Sequence, residues 1–245
     1  MPKEGPAFYD DDAVFKTYLE GRHSRSDTPN DTLEKPVILE LAGDLANQRI
    51  LDLGCGDAAF GLYALSQGCQ SYVGVEGSHK MAAAAQQLLA GTAGTVVQAA
   101  LEEWEYPPEA FDRVIARLVF HYIQDIEAVF KQVYRTLVKG GRLIFSIEHP
   151  MITSSDKGWQ RTAPRQDWIV DNYFLTGQRV TNWMGSQVIK YHRTVENYFL
   201  ALQQAGFMVE SVRESAPRRE YFEDEATYLR RQRIPLFLFM AGQKC

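Results

Sequence analysis

The residues best suited to holding a ligand lie in one stretch, ILDLGCGDAAFG, from Ile50 to Gly61. Gly54 and Gly56 fall where an apolar run passes into a helix-forming segment. At such a turn the backbone approaches a ligand closely, and a side chain would obstruct it. The helix beyond points its free N–H groups and positive dipole end into the same crevice. Glu76 ends the next apolar run roughly 20 residues on, the spacing of an acid that grips ribose hydroxyls. Gly54, Gly56 and Ala59 also satisfy the G-x-G-x-x-G/A pattern of nicotinamide enzymes, so a NAD-dependent oxidoreductase is a rival reading. Asp52 separates the two. A carboxylate two residues before the first glycine repels a pyrophosphate in a poorly hydrated crevice, but attracts a sulfonium ligand with an ammonium tail.

The surrounding pattern supplies the elements that must position these groups. Residues 12–20 and 33–45 read as helices, with HSRSDTPND (23–31) a loop between them. Runs at 49–53, 71–75, 95–98, 111–116 and 142–147 read as strands. Between them lie helices at 58–66, stopped by Gly68, and at 79–90, capped by Ser78. Asp125 caps a further helix whose Ile126, Val129, Phe130, Val133 and Leu137 share one face and which ends at Gly140 and Gly141. Strand alternating with helix predicts a doubly wound α/β fold on a mostly parallel sheet, with helices on both faces. Residues 150–189 break the rhythm and read as an irregular functional lid. A helix at 194–204, a strand at 207–212, a charged segment at 218–233 and a strand at 235–240 close the chain, the two strands as an antiparallel pair.

Composition narrows the class. The chain has 245 residues, 45% hydrophobic and 12% aromatic, enough for one large α/β domain. Its expected parts are a helical cover (1–46), a cofactor-binding core (49–149), an insertion over the acceptor site (150–190), and a C-terminal helix with closing strands (191–245). A formal net charge of -5 disfavours a dedicated nucleic-acid binder. Three cysteines without ligand spacing argue for reduced thiols and against a metal site. No secretory leader or membrane span is evident, so the expectation is a cytoplasmic protein.

Together these motifs resemble class I S-adenosylmethionine-dependent methyltransferases of the small-molecule type. ILDLGCG and VGVEGS resemble the first two family motifs, FDRVIARLVFHYIQD the fourth-strand segment, and LVKGGRLIFSIEHP the segment through strand five. LEEW lies where the adenine-contacting segment falls. The likeness spans residues 49–150 and continues through KYHRTVENYFLALQQAGF to RIPLFLFMAG. It implies a seven-stranded sheet, with the last strand antiparallel between five and six, and S-adenosyl-L-methionine as cofactor. It implies a methionine site at Asp52, Gly54, Cys55 and Gly56, and a ribose site at Glu76 with Gly77 and Met81 beside it. Leu101 and Glu102 would flank the adenine, and Arg117 and Leu118 would close over the methionine end. The sequence departs from the family at Ala58, where a third glycine is usual, and at Ala100, where an acid often binds the adenine amino group.

Methyl transfer from an activated sulfonium is chiefly a matter of positioning, with a base needed only when the acceptor must lose a proton. His149, in EHP at the end of strand five, and His121, just past strand four, are the catalytic candidates. Lys190, His192 and Arg193 could hold an anionic group, and Glu148 could orient a neighbour. Tyr9 and Tyr18 could cover the cofactor; Trp159, Trp168 and Trp183 could wall an acceptor pocket. LRRQR (229–233) is a solvated basic cluster in the plain reading and an RNA contact in the sharper one. The partners expected are a small-molecule acceptor and neither membrane nor nucleic acid, with room for a homodimer. An RNA-modifying methyltransferase and a binding protein without catalysis remain as alternatives.

Overall fold

A computed structural model describes residues 1–24, 28–158 and 167–245. The expected loop 23–31 lies partly, and Trp159 wholly, outside the described residues. The chain opens with helices α1 (Gly5–Tyr9) and α2 (Asp12–Ser24). A π-helical turn, Asn30–Glu34, runs directly into α3 (Lys35–Ala42). The predicted helix over 33–45 is therefore shorter: Gly43, at φ 66°, ends it.

The core elements follow as β1 (Arg49–Leu53), α4 (Ala59–Ser66), β2 (Ser71–Glu76), α5 (His79–Leu88), β3 (Gly94–Gln98) and β4 (Phe111–Arg117). Next come α6 (Ile126–Thr136), β5 (Leu137–Glu148), α7 (Pro150–Thr153), β6 (Gly177–Trp183), β7 (Ser186–His192), α8 (Val195–Gln204), β8 (Phe207–Glu214), α9 (Glu225–Arg231) and β9 (Phe237–Lys244). Caps expected from sequence are in place: Ser78 Oγ accepts from Met81 N at 3.2 Å, and Asp125 Oδ1 from Ala128 N at 3.0 Å. Leu137 belongs to β5, not to the helix before it, because α6 gives way to extended backbone there.

The strands form one seven-stranded sheet in the order β3-β2-β1-β4-β5-β9-β8. β9 runs antiparallel to both neighbours and lies between β5 and β8, as the resemblance implied. Alternation sorts the strand side chains into two cores. Leu51, Leu53, Val114, Ala116 and Phe145 face α6 and α8; Ile50, Ile115 and Ile144 face α3 and α4. Asp52, Arg117 and Ser146 continue the second set, on the same face and toward the carboxyl ends of the strands.

The expected irregular lid instead contains a β-hairpin, β6 with β7, in register from Gly177↔His192 to Trp183↔Ser186. Its inward residues are Val188, Lys190 and His192, all buried. A lysine and a histidine in the apolar slots of a period-two pattern hide the strand from a hydropathy reading. The N-terminal segment joins the hairpin: Lys3 N donates to Gln187 O at 3.1 Å, and Ile189 N to Lys3 O at 2.9 Å.

Candidate functional site

The glycine loop turns sharply at the carboxyl end of β1. Gly54, Gly56 and Ala58 adopt φ of 67°, 58° and 58°, the left-handed region. A Cβ at Gly54 would lie 2.5 Å from Val119 Cγ2, so only glycine fits between the loop and the segment after β4. Ala58 occupies the position of the usual third glycine and pays for its methyl in backbone strain. Its side chain is fully buried under α4.

Glu76 ends β2 beside this loop. Its Oε2 accepts from Gly56 N and its Oε1 from Ser78 N, each at 2.9 Å. The carboxylate thus ties the glycine loop to the start of α5, while burial raises its pKa. Gly77, next to it, is covered by Pro6: a Cβ there would come within 2.6 Å of Pro6 Cγ. Met81 is buried in α5, and Cys55 is buried with its thiol pKa pushed up by desolvation. Leu101 is buried and its carbonyl accepts from Tyr106 Oη at 3.0 Å; burial raises the pKa of the adjoining Glu102.

Asp52 is buried on the sheet face toward α3 and α4. Tyr72 Oη donates to its Oδ2 at 2.7 Å. Burial pushes its pKa up to about 6, and the Tyr72 hydrogen bond and the nearby Arg117 oppose the rise. Tyr72 reaches this position because position 61 has no side chain; a Cβ at Gly61 would lie 2.4 Å from Tyr72 Cζ. Arg117, opposite Ser146 in the β4–β5 register, does not pair with Asp52. Its Nε donates to Glu34 Oε1 at 3.1 Å, and its Nη2 donates to Glu34 Oε2. Leu118 follows at φ 54°.

The two predicted catalytic histidines differ in their surroundings. His149 Nδ1 accepts from Met151 N at 3.1 Å, and its Nε2 lies 3.0 Å from Glu214 Oε1. Both ring nitrogens are committed, which fits the neutral Nε2–H tautomer and a capping role for α7. His121 is buried against Tyr122, with ring centroids 4.4 Å apart, and its Nδ1 accepts from Glu148 N at 3.4 Å. Burial lowers its pKa to about 4, so the ring is neutral at pH 7.

The hairpin completes this edge. Lys190 Nζ lies 2.6 Å from Glu148 Oε1 and within 6 Å of the Tyr122 and Trp183 ring centroids, at 5.7 and 5.4 Å. Tyr9 Oη lies 3.2 Å from Tyr122 Oη, and the Tyr9 ring meets Tyr18 edge-on at 5.5 Å. Asp10 Oδ1 accepts from Ser78 Oγ at 2.7 Å and from Lys80 N at 3.1 Å, pinning the cover to α5.

Other candidates are tied elsewhere. His192 is held by Thr153 Oγ1 and the Tyr173 carbonyl, each at 2.8 Å. Arg193 donates to the carbonyls of Ile123 and Gln124. Trp168 donates to Met151 O at 3.2 Å, and Arg230 and Arg231 belong to α9 on the outside. Glu34, Tyr72, Asp10 and Tyr122 were not apparent from the sequence, because each acts through a partner distant in the chain. Among the described residues, no His, Cys, Asp and Glu group is arranged to hold a metal ion.

Comparison with known proteins establishes the family and the fold. The methyltransferase domain family model matches residues 51–145, from β1 into β5. A solved S-adenosylmethionine dependent methyltransferase from Mesorhizobium loti is 31% identical, with a TM-score of 0.79, and covers 86% of this chain and 97% of its own. The chain belongs to the S-adenosylmethionine-dependent methyltransferases. The methyltransferase is also 29% identical over 216 residues to an uncharacterized protein of Haemophilus influenzae, covering 84% of this chain and 85% of that one. It shares its fold with Haemonchus contortus phosphoethanolamine N-methyltransferase 2 in complex with S-adenosyl-L-methionine, at 17% identity and a TM-score of 0.67; that match covers 98% of this chain and 59% of that one. With S-adenosylmethionine as the family's cofactor, the nicotinamide reading of the glycine loop falls away. No helix among the described residues is long and apolar enough to cross a membrane.

Proposed function

We propose that the enzyme transfers a methyl group to a small-molecule acceptor bound under the β6–β7 hairpin, by in-line displacement. The observation that carries this reading is the ion pair of buried Lys190 with half-buried Glu148. The hairpin delivers a cation to the carboxyl end of β5, beside His121 and Tyr122.

The residues present suit the cofactor. The loop turns at positive φ with no side chain at positions 54 and 56, and a Cβ at Gly56 would meet only the Tyr18 hydroxyl, at 3.6 Å, so a ligand could approach the backbone there. Asp52 Oδ2 is bonded to Tyr72, and its Oδ1 receives no hydrogen bond from the described residues, so it would take the ammonium of the amino-acid tail. Glu76, held by Gly56 and Ser78, would take the ribose hydroxyls on its remaining lone pairs. Leu101 and Glu102 would flank the adenine, with Gly77 and Met81 lining the ribose end and Gly54, Cys55 and Gly56 the tail. Leu118 would close that end of the cleft, with Arg117 held back from the tail by Glu34.

When bound, the cofactor supplies an electrophilic methyl on a sulfonium. The chain's own part is to align the acceptor nucleophile with that methyl and to exclude water. Nδ1 of His121 already accepts from Glu148 N and both nitrogens of His149 are engaged, so neither ring offers a free lone pair to a proton, and an acceptor that needs no base suits the site best. The acidic total favours a small molecule over RNA.

The test follows release of S-adenosylhomocysteine across panels of small amines, phenols, thiols and carboxylic acids, with bulk tRNA as a further arm. Turnover on a small acceptor that K190M removes, without loss of S-adenosylhomocysteine binding, supports the assignment. Turnover on tRNA alone, sensitive to salt, would overturn it.

A further inference from the structure

Arg117 is a half-buried cation set on the same sheet face as Asp52 and near it along adjacent strands: Asp52 pairs with Ile115, and Arg117 lies two residues further on. Its guanidinium also lies 5.8 Å from the Phe60 ring, at the start of the helix that leaves the glycine loop. A cation in that place has two carboxylates to choose from. It is bonded through Nε and Nη2 to Glu34, whose side chain is 0% exposed.

Glu34 is set by several independent contacts. It ends the π-helical turn Asn30–Glu34, a rare geometry that recurs at functional sites. Ser146 Oγ donates to its Oε1 at 2.7 Å. The same Ser146 accepts from Leu118 N, through Oγ at 3.2 Å and through the carbonyl at 2.9 Å. Leu118 is in the left-handed region, where a leucine is strained and needs such support. The cover, β5 and the turn after β4 therefore meet in one buried network.

We infer that Glu34 is a positioning residue for cofactor recognition: by holding Arg117 it keeps that cation off Asp52, leaving the aspartate for the cofactor's ammonium. The inference rests on the assignment of Asp52 made above. A buried ion pair adds little stability compared with apolar residues of the same volume, so its retention here is better explained by what it keeps apart. If Glu34 loses its charge, Arg117 turns to the next carboxylate and competes with the ligand.

Two ligands separate this role from general support of the fold. S-adenosylhomocysteine carries the ammonium tail; 5′-methylthioadenosine presents the nucleoside without it. By calorimetric titration, Glu34→Gln should weaken S-adenosylhomocysteine about tenfold or more while 5′-methylthioadenosine changes less than about threefold. Adding Arg117→Met to E34Q should restore S-adenosylhomocysteine to within about threefold of wild type. If E34Q does not fold, Glu34→Asp carries the same expectation, because it falls short of the guanidinium by one methylene. Parallel loss of both ligands, or no recovery in the double variant, overturns the inference. Wild-type protein that binds neither ligand would instead overturn the site assignment, and this inference with it.

Discussion

Asp52 ionises reluctantly in the free protein, and its pH dependence has opposite signs for stability and for binding. The folded-state pKa, about 6, lies above the usual 3.8 because burial disfavours the charge. The folded protein therefore holds this proton more tightly than the unfolded chain between those values. Its ionisation weakens the fold as pH rises through 6, by on the order of 3 kcal/mol when complete. A cationic ligand needs the ionised form, so S-adenosylhomocysteine affinity should fall toward tenfold per pH unit below about 6. Asp52→Asn still accepts from Tyr72. At pH 7.5 its apo melting temperature should exceed wild type by several degrees, while its shift with S-adenosylhomocysteine nearly vanishes. A melting temperature below wild type would show that the buried charge is not the destabilising element. The loop glycines should separate in the same assay. Gly54→Ala collides with Val119 and should cost about 1–3 kcal/mol, whereas Gly56→Ala meets only the Tyr18 hydroxyl at 3.6 Å and should cost about 1.

At the level of elements, the hairpin holds a charge that an apolar strand would not need. Lys190→Met leaves half-buried Glu148 without its partner, and chemical denaturation should show a loss of about 2–3 kcal/mol, below the ~3–5 of a fully buried pair. K190M with Glu148→Leu should recover most of that stability and none of the turnover. Recovery of turnover would mean the pair is structural only. This element also marks the limit of what sequence could reveal. β1, β2, β4 and β5 were legible as apolar runs, and a mostly parallel sheet followed from their alternation with helices, while the place of the last strand came only with the family resemblance. β6 and β7 were not, because Lys190 and His192 fill inward slots and Gln178, Arg179 and Asn182 the rest. The same limit applied to the site. Asp52 and Gly54 sit in one local motif and Glu76 in the next, but Tyr72 acts on Asp52 only through the space left at Gly61, and Glu34 meets Arg117 83 residues along the chain.

Across the whole molecule, the N-terminal cover and the hairpin are one structure. Lys3 pairs with β7, Gly5 packs on Tyr122, Pro6 covers Gly77, and Asp10 bonds the start of α5. Removing residues 1–10 should leave the seven-stranded sheet intact, since none of its strands is lost. Amide exchange should then quicken in residues 186–192 as well as at 77–81, with weaker cofactor binding. Unchanged exchange in the hairpin would show that it docks without the cover.

β9 has a different consequence. It is the last of these elements to leave the ribosome, yet it seats between two strands made earlier, and Phe237 must find Glu148 about ninety residues back. Until it arrives β5 and β8 both present open edges, a hazard for sticking to other chains. Long-range closure of this kind is slow. The native sheet therefore closes only once β9 has emerged, and a nascent chain stalled before Phe237 would hold a cofactor cleft on an unfinished scaffold.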